Sequence, residues 1–311
     1  MDPGTLYERP LLSQLAQQYK NRELIADQVL PQVDVDFEQF EYLVWDRGAT
    51  FKRQNTKYGH DASSNTLDLK ATKVKGNTDS HALNTFIDEK EERQAPGIAI
   101  ESLKTEALMD AIGLDKEIEV ASFLTDTTKV TQNATLAGAS QWSDFVNSDP
   151  KAELLTRFGS ILGKNITMVV GKQVDDKLRL HPKVLDAVKY TRGAIETEQI
   201  LAAYFGVKKY LVGEAFQDTA AEGQAESLSY VWGKHCVLLH TPEAPNAMMS
   251  KASAGYIARW RGGAAGPVRV YTAKVPTRGT GAGATFIKAE TDWKVLFTSQ
   301  VHMFLLKNVV A

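Results

Sequence analysis

Cysteine is nearly missing: Cys236 stands alone among 311 residues. No disulfide can close within the chain, which fits folding in a reducing cytosol. Long apolar runs are missing too, none approaching the roughly 18 residues that cross a bilayer. Residues 1–19 lack the basic-then-apolar layout of a signal peptide. Charge of one sign is not in excess: 36 Lys and Arg against 38 Asp and Glu leave −2, which argues against a basic nucleic-acid binder. With 43% hydrophobic and 24% charged residues, disorder and collagen-like repeats are excluded. The length suits one large domain or two coupled ones.

Signatures of catalysis are scarce as well. No serine sits in a Gly-x-Ser-x-Gly turn. Gly279-Thr280-Gly281-Ala282-Gly283 looks like a nucleotide loop, but a dinucleotide fingerprint leads from a strand into a helix, and strands are expected on both sides here. The stretch from Gly159 to Asn165 misses phosphate-loop spacing and has no Ser or Thr to hold magnesium, so it reads as a helix ending in glycine. His235, Cys236 and His240 offer at most two ligands on one face of a strand, below the three or four of a zinc site. The expectation is no cofactor, no metal and no enzyme.

What is present is a sequence of unlike segments. Residues 1–33, with short helical patches at Leu12–Tyr19 and Glu23–Leu30, form an arm too small for its own core, to be packed on the body or on a neighbour. Phe40–Phe51 and the alternating Leu67, Leu69 and Ala71 predict a hairpin. Between them Arg53–Thr66 is a polar connection long enough to be functional or mobile, so 45–80 reads as a projecting loop. Ile100, Leu103, Ala107, Ala111, Leu114, Ile118, Ala121 and Leu124 step by three or four and predict a helix over 99–125, about 40 Å long. From 150 to 240 helices alternate with strands, an α/β layer pattern. Strands are expected at Val268–Val275, Ala284–Ala289 and Lys294–Leu306.

Charge is distributed unevenly. In 46–75, Arg47, Lys52, Arg53, Lys57, Lys70, Lys73 and Lys75 outnumber three acids, a surplus of four. In 88–119, ten acids outnumber four basic residues by six, with Glu106, Asp110 and Glu117 near one helical face. One reading is two solvated surfaces. The other is a basic loop docking on the acidic helix of another copy, where complementary fields set register.

The run from Gly171 to Gln224 (with HPKVLDAVKY, the following strand and AAEGQ), together with Ile25–Lys52 and the closing FLLKNVVA, resembles tailed-phage major capsid proteins. The similarity is to the lambda-type major capsid protein E family and its relatives of Hong Kong 97-like fold. It implies an α+β subunit divided into an N-terminal arm (1–33), an extended β-hairpin loop with flanking strands (34–98), a peripheral domain with a long spine helix (99–164), an axial α/β domain (165–253) and C-terminal strands returning to the peripheral domain (254–311). It implies a virion protein that assembles in the bacterial cytoplasm into pentamers and hexamers of an icosahedral head. The implied partners are its own copies, a separate scaffolding protein, a portal, a decoration protein in some relatives, and packaged double-stranded DNA held weakly; no membrane is expected. Two other readings stay open: an encapsulin-type compartment of the same fold, and a cytosolic α/β enzyme.

Overall fold

The computed structural model describes residues 7–8, 24–45, 53, 56–57, 71–88, 90, 99–189, 197–245, 249, 251–262, 266–276, 278 and 283–311. The chain begins with β1 (Tyr7–Glu8), the short helix Ala26–Val29 and β2 (Gln32–Val35). Ile25, Ala26, Val29 and Leu30 are buried in the main core, so the end of the expected arm belongs to the chain's own body. The helical patch expected at 12–19 lies outside the described residues.

The predicted hairpin forms from β3 (Gln39–Trp45) and β4 (Ala71–Asn77), paired antiparallel from Gln39↔Asn77 to Trp45↔Ala71. Gly76 is required by its cross-strand neighbour: a Cβ there would lie 2.6 Å from the Phe40 ring. Tyr42, with Phe40, Val44 and Val74, packs on Val33, Tyr256, Ala258 and Leu296, so the base of the hairpin is anchored to its own sheet. Most of 46–70, the part expected to project, lies outside the described residues. β5 (Asp79–Asp88) was not anticipated, because DSHALNTFID shows no clean apolar alternation.

The long helix spans Ile100–Thr125, as its spacing predicts. Its buried face differs from the expected stripe: Thr105, Leu108, Ile112, Glu117, Val120, Ala121 and Leu124 are buried, whereas Leu103 is 55% exposed. Apolar residues lie on several sides of this helix, and the true core face contains Thr and Glu, so periodicity found that face at Ala121 and Leu124 and missed it in the middle of the helix. β6 (Asn133–Thr135) and the helix Pro150–Phe158 follow. Asp149 caps that helix by accepting from Ala152 N–H, with Pro150 in its first turn.

β7 (Ile166–Gly171) is buried at every position, as suits a strand covered on both faces. The helices Lys172–Leu180, Pro182–Val188 and Thr197–Phe205 then lead to β8 (Lys209–Gly213), which pairs parallel with β7. β9 (Phe216–Asp218) and β10 (Leu228–Tyr230) form a separate two-stranded ladder. β11 (Cys236–His240), β12 (Gly255–Trp260), β13 (Val268–Val275), β14 (Ala284–Phe297) and β15 (Met303–Lys307) complete the chain.

Two sheets result. The first runs β1-β13-β14-β12-β2, with β5 also pairing β14; the second runs β6-β15-β11-β7-β8. The reading of 254–311 as one group of strands is thereby corrected. β12, β13 and β14 build the first sheet, while β15 lies inside the second, parallel to β6 and antiparallel to β11. The second sheet is the middle of a three-layer arrangement set by the period of two. Val169, Val237, Leu239, Met303 and Leu305 face the cluster of the long helix and first sheet. Met168, Val170, Cys236, Leu238 and Leu306 face Val174, Leu178, Val184, Leu201 and Phe205 of the three shorter helices.

Candidate assembly surfaces

The long helix supports both core layers, and its polar residues decide which of its faces remain open. Glu117 does not face solvent. It is fully buried, accepting from Trp232 Nε1 at 2.5 Å and from Ala26 N at 2.6 Å. Burial pushes its carboxyl above the ordinary range, partly offset by the Trp232, Ala26 and Ile25 N–H donors. Glu117 is therefore removed from the expected docking face: it ties the helix to the N-terminal segment and to Trp232. Two further acids of that run have partners on the first sheet, Asp115 while still exposed and Glu119 while half-buried. Asp115 meets His81 at 3.3 Å, and Glu119 accepts from Trp293 Nε1 at 2.7 Å. Glu106 and Asp110 are half-buried on the same helix. Sequence reasoning missed Glu117 because Glu is rarely buried without a partner; the partner was a tryptophan N–H that charge arithmetic does not count.

On the hairpin, Lys73 and Lys75 are exposed and Lys73 lies 3.5 Å from Glu41 across the ladder. Arg53 and Lys57 are exposed further along. Arg47, Lys52 and Lys70 lie outside the described residues.

The motifs weighed in the sequence have structural explanations. The glycine run at 279–283 connects two antiparallel strands, with Val275 paired to Ala284. The helix before Gly159 ends at Phe158, and at Gly163 (φ +135°) a Cβ would strike the His240 ring. His235 Nδ1 accepts from Asn308 N, while Cys236 is buried and its thiol pushed far up by that burial. Among the described residues no group of three or more His, Cys, Asp or Glu is gathered for a metal.

Apolar side chains on the surface were not anticipated at all. Val146 is 85%, Phe37 75%, Leu228 65% and Leu180 60% exposed. Scattered single residues are normal. Leu228, however, lies on the two-stranded β9–β10 ladder outside both larger sheets.

No family model matches the chain. The major capsid protein of Pseudomonas phage JBD67 is 29% identical over 241 residues, covering 74% of this chain and 76% of that protein. Among solved structures, a phage-related protein from Bordetella bronchiseptica RB50 superposes with a TM-score of 0.74 at 20% identity, covering 98% of each chain. The capsid of cyanophage P-SCSP1u gives 0.57 at 10% identity, over 89% of this chain and 85% of that one. In sequence the chain resembles a phage major capsid protein, and in structure it has the Hong Kong 97-like fold of phage capsid subunits.

Proposed function

We propose that the protein is the major capsid subunit of a tailed double-stranded DNA phage, building an icosahedral head from pentamers and hexamers of itself. The observation that carries this reading is the 29% identity to a phage major capsid protein over three quarters of both chains. The fold alone would suit a cargo compartment equally well; the sequence likeness supports the phage head.

On this reading the first sheet, the long helix and β5 form the peripheral region, and the second sheet with its three helices forms the axial region around the symmetry axes. The β3–β4 hairpin, rooted on its own sheet by Tyr42, reaches onto a neighbour. Many such modest interfaces act together through multivalency. An exposed charge pair contributes only about 0.2–1 kcal/mol. Apolar contact must therefore supply most of the shell's stability, while charge sets register.

The net charge of −2 makes the wall a poor counterion for DNA. A genome enclosed by it has to be driven in through a portal, and a separate scaffolding protein guides assembly in the host cytoplasm. The test is expression of the full chain with and without its phage's scaffolding protein, followed by sedimentation and cryo-electron microscopy. Closed icosahedral particles are expected; a chain that stays monomeric at high concentration under both conditions overturns the reading.

A further inference from the structure

The β9–β10 ladder stands apart from both sheets. Its register sets Phe216 opposite Tyr230 and Asp218 opposite Leu228, so these four side chains share one face. Asp218 is occupied locally, its Oδ1 accepting from Ala220 N and Ser227 N at 2.9 Å. What remains on that face is apolar. The Phe216 and Tyr230 rings lie 4.2 Å apart, and Phe216 and Leu228 are 49% and 65% exposed. A lone two-stranded hairpin is marginal in water, and this one exposes the surface it would need to bury. Its charge has a single sign: Glu214, Asp218, Glu222 and Glu226, with no Lys or Arg from 214 to 230.

A complementary surface exists on the same chain. Leu180 and Leu185, on either side of the His181-Pro182 elbow between two helices, are 60% and 52% exposed. The segment 172–189 carries five basic residues against three acids. Within one copy Glu214 reaches Lys172 at 2.6 Å. Yet Phe216, Leu228, Leu180 and Leu185 all stay exposed, so the two apolar surfaces do not cover each other.

We propose that the apolar face of the 216–230 hairpin of one copy seats on the 180–185 elbow of the next. The inference rests on the shell reading and names which surfaces meet inside a capsomer. Because the two surfaces differ, the contact is head to tail, and a closing rotation turns it into a ring instead of a dimer. Apolar burial supplies the attraction, and the acidic hairpin against the two-charge basic surplus of 172–189 biases orientation.

The test uses the full chain carrying Leu185→Cys and Leu228→Cys, assembled into particles and treated with a flexible bismaleimide. Cys236 is fully buried and does not compete. One reactive cysteine per chain can join two chains and no more, so each single variant yields dimers at most. The double variant is expected to give covalent bands above the dimer, up to five and six chains. Particles of the double variant with no band above the dimer overturn the proposal. If the double variant does not assemble, Glu222→Lys with Glu226→Lys decides: most particles are expected to be lost while the subunit's melting temperature is unchanged, and a normal particle yield overturns the contact. Failure of the unaltered chain to form any particle is a separate result, which removes the shell reading instead.

Discussion

Glu117 and Trp232, 115 positions apart, meet in a 2.5 Å hydrogen bond at a point where neither side chain reaches solvent. Trp232 is seated against Gly213 of the second sheet, where a Cβ would come within 2.1 Å of its ring. Glu117 lies on the helix that packs on the first sheet and also holds Ala26 N–H. One carboxylate thus links three regions distant in sequence.

Removing either partner should destabilise the subunit. Trp232→Phe leaves a buried carboxylate oxygen without its donor, and Glu117→Gln turns an amide N–H toward a donor. Each should cost about 1–3 kcal/mol, read as a lower urea midpoint of the unassembled chain. Unchanged midpoints in both variants would remove this link from the account of stability.

Gly213→Ala should act on the same joint by overpacking. The added methyl meets the Trp232 ring head-on, and such insertions cost about 1–3 kcal/mol. Near-ultraviolet circular dichroism of the tryptophans should change along with the midpoint.

Stability should fall on mild acidification. His181 accepts from Lys183 N through Nδ1 and meets Ser148 Oγ through Nε2 at 3.1 Å. Burial first, then the neighbouring Lys183 charge, lowers its pKa, opposed by Asp149. A histidine lowered in the folded state contributes stability in full above its unfolded value, about 6.5, and that contribution is lost as pH drops through the folded value. His235 shifts in the same direction. Glu117 acts oppositely, its raised carboxyl weakening the fold as pH rises above the ordinary carboxylate range. His181→Asn keeps a good helix cap, so the decline between pH 7 and 5 should become shallower without vanishing. An unaltered decline would mean that His181 does not carry it.

Lys73→Glu with Lys75→Glu should separate assembly from folding. Lys73 and its partner Glu41 are well exposed, so the stability change should stay within about 1 kcal/mol. Particle yield should nevertheless drop, because the hairpin then presents acid where a neighbour expects base. Wild-type yields would count against electrostatic docking of this hairpin.

Much of the architecture was legible because it rests on local rules. Residues 99–125 repeat at helical spacing, Asp149-Pro150 starts a helix, Gly206 (φ +73°) ends another, and Val268–Val275 reads directly as a strand. What could not be read depended on distant partners. β5 exists because β14 pairs with it over its whole length, and β15 enters the second sheet because β6 and β11 flank it. The docking face was partly misassigned for the same reason. Glu106 and Glu117 look alike in sequence, and only Trp232 and Ala26 tell them apart.

The long helix is a wall shared by both sheets, held through one buried face by Glu117 together with Leu108, Ile112 and Val120. The two-stranded ladders β3–β4 and β9–β10 belong to neither sheet. On the proposed shell reading, identical chains that sit at both the sharp corners and the flatter facets of a closed polyhedron share that wall unchanged. On that reading, differences in curvature fall to the surfaces that these two ladders present to neighbouring copies.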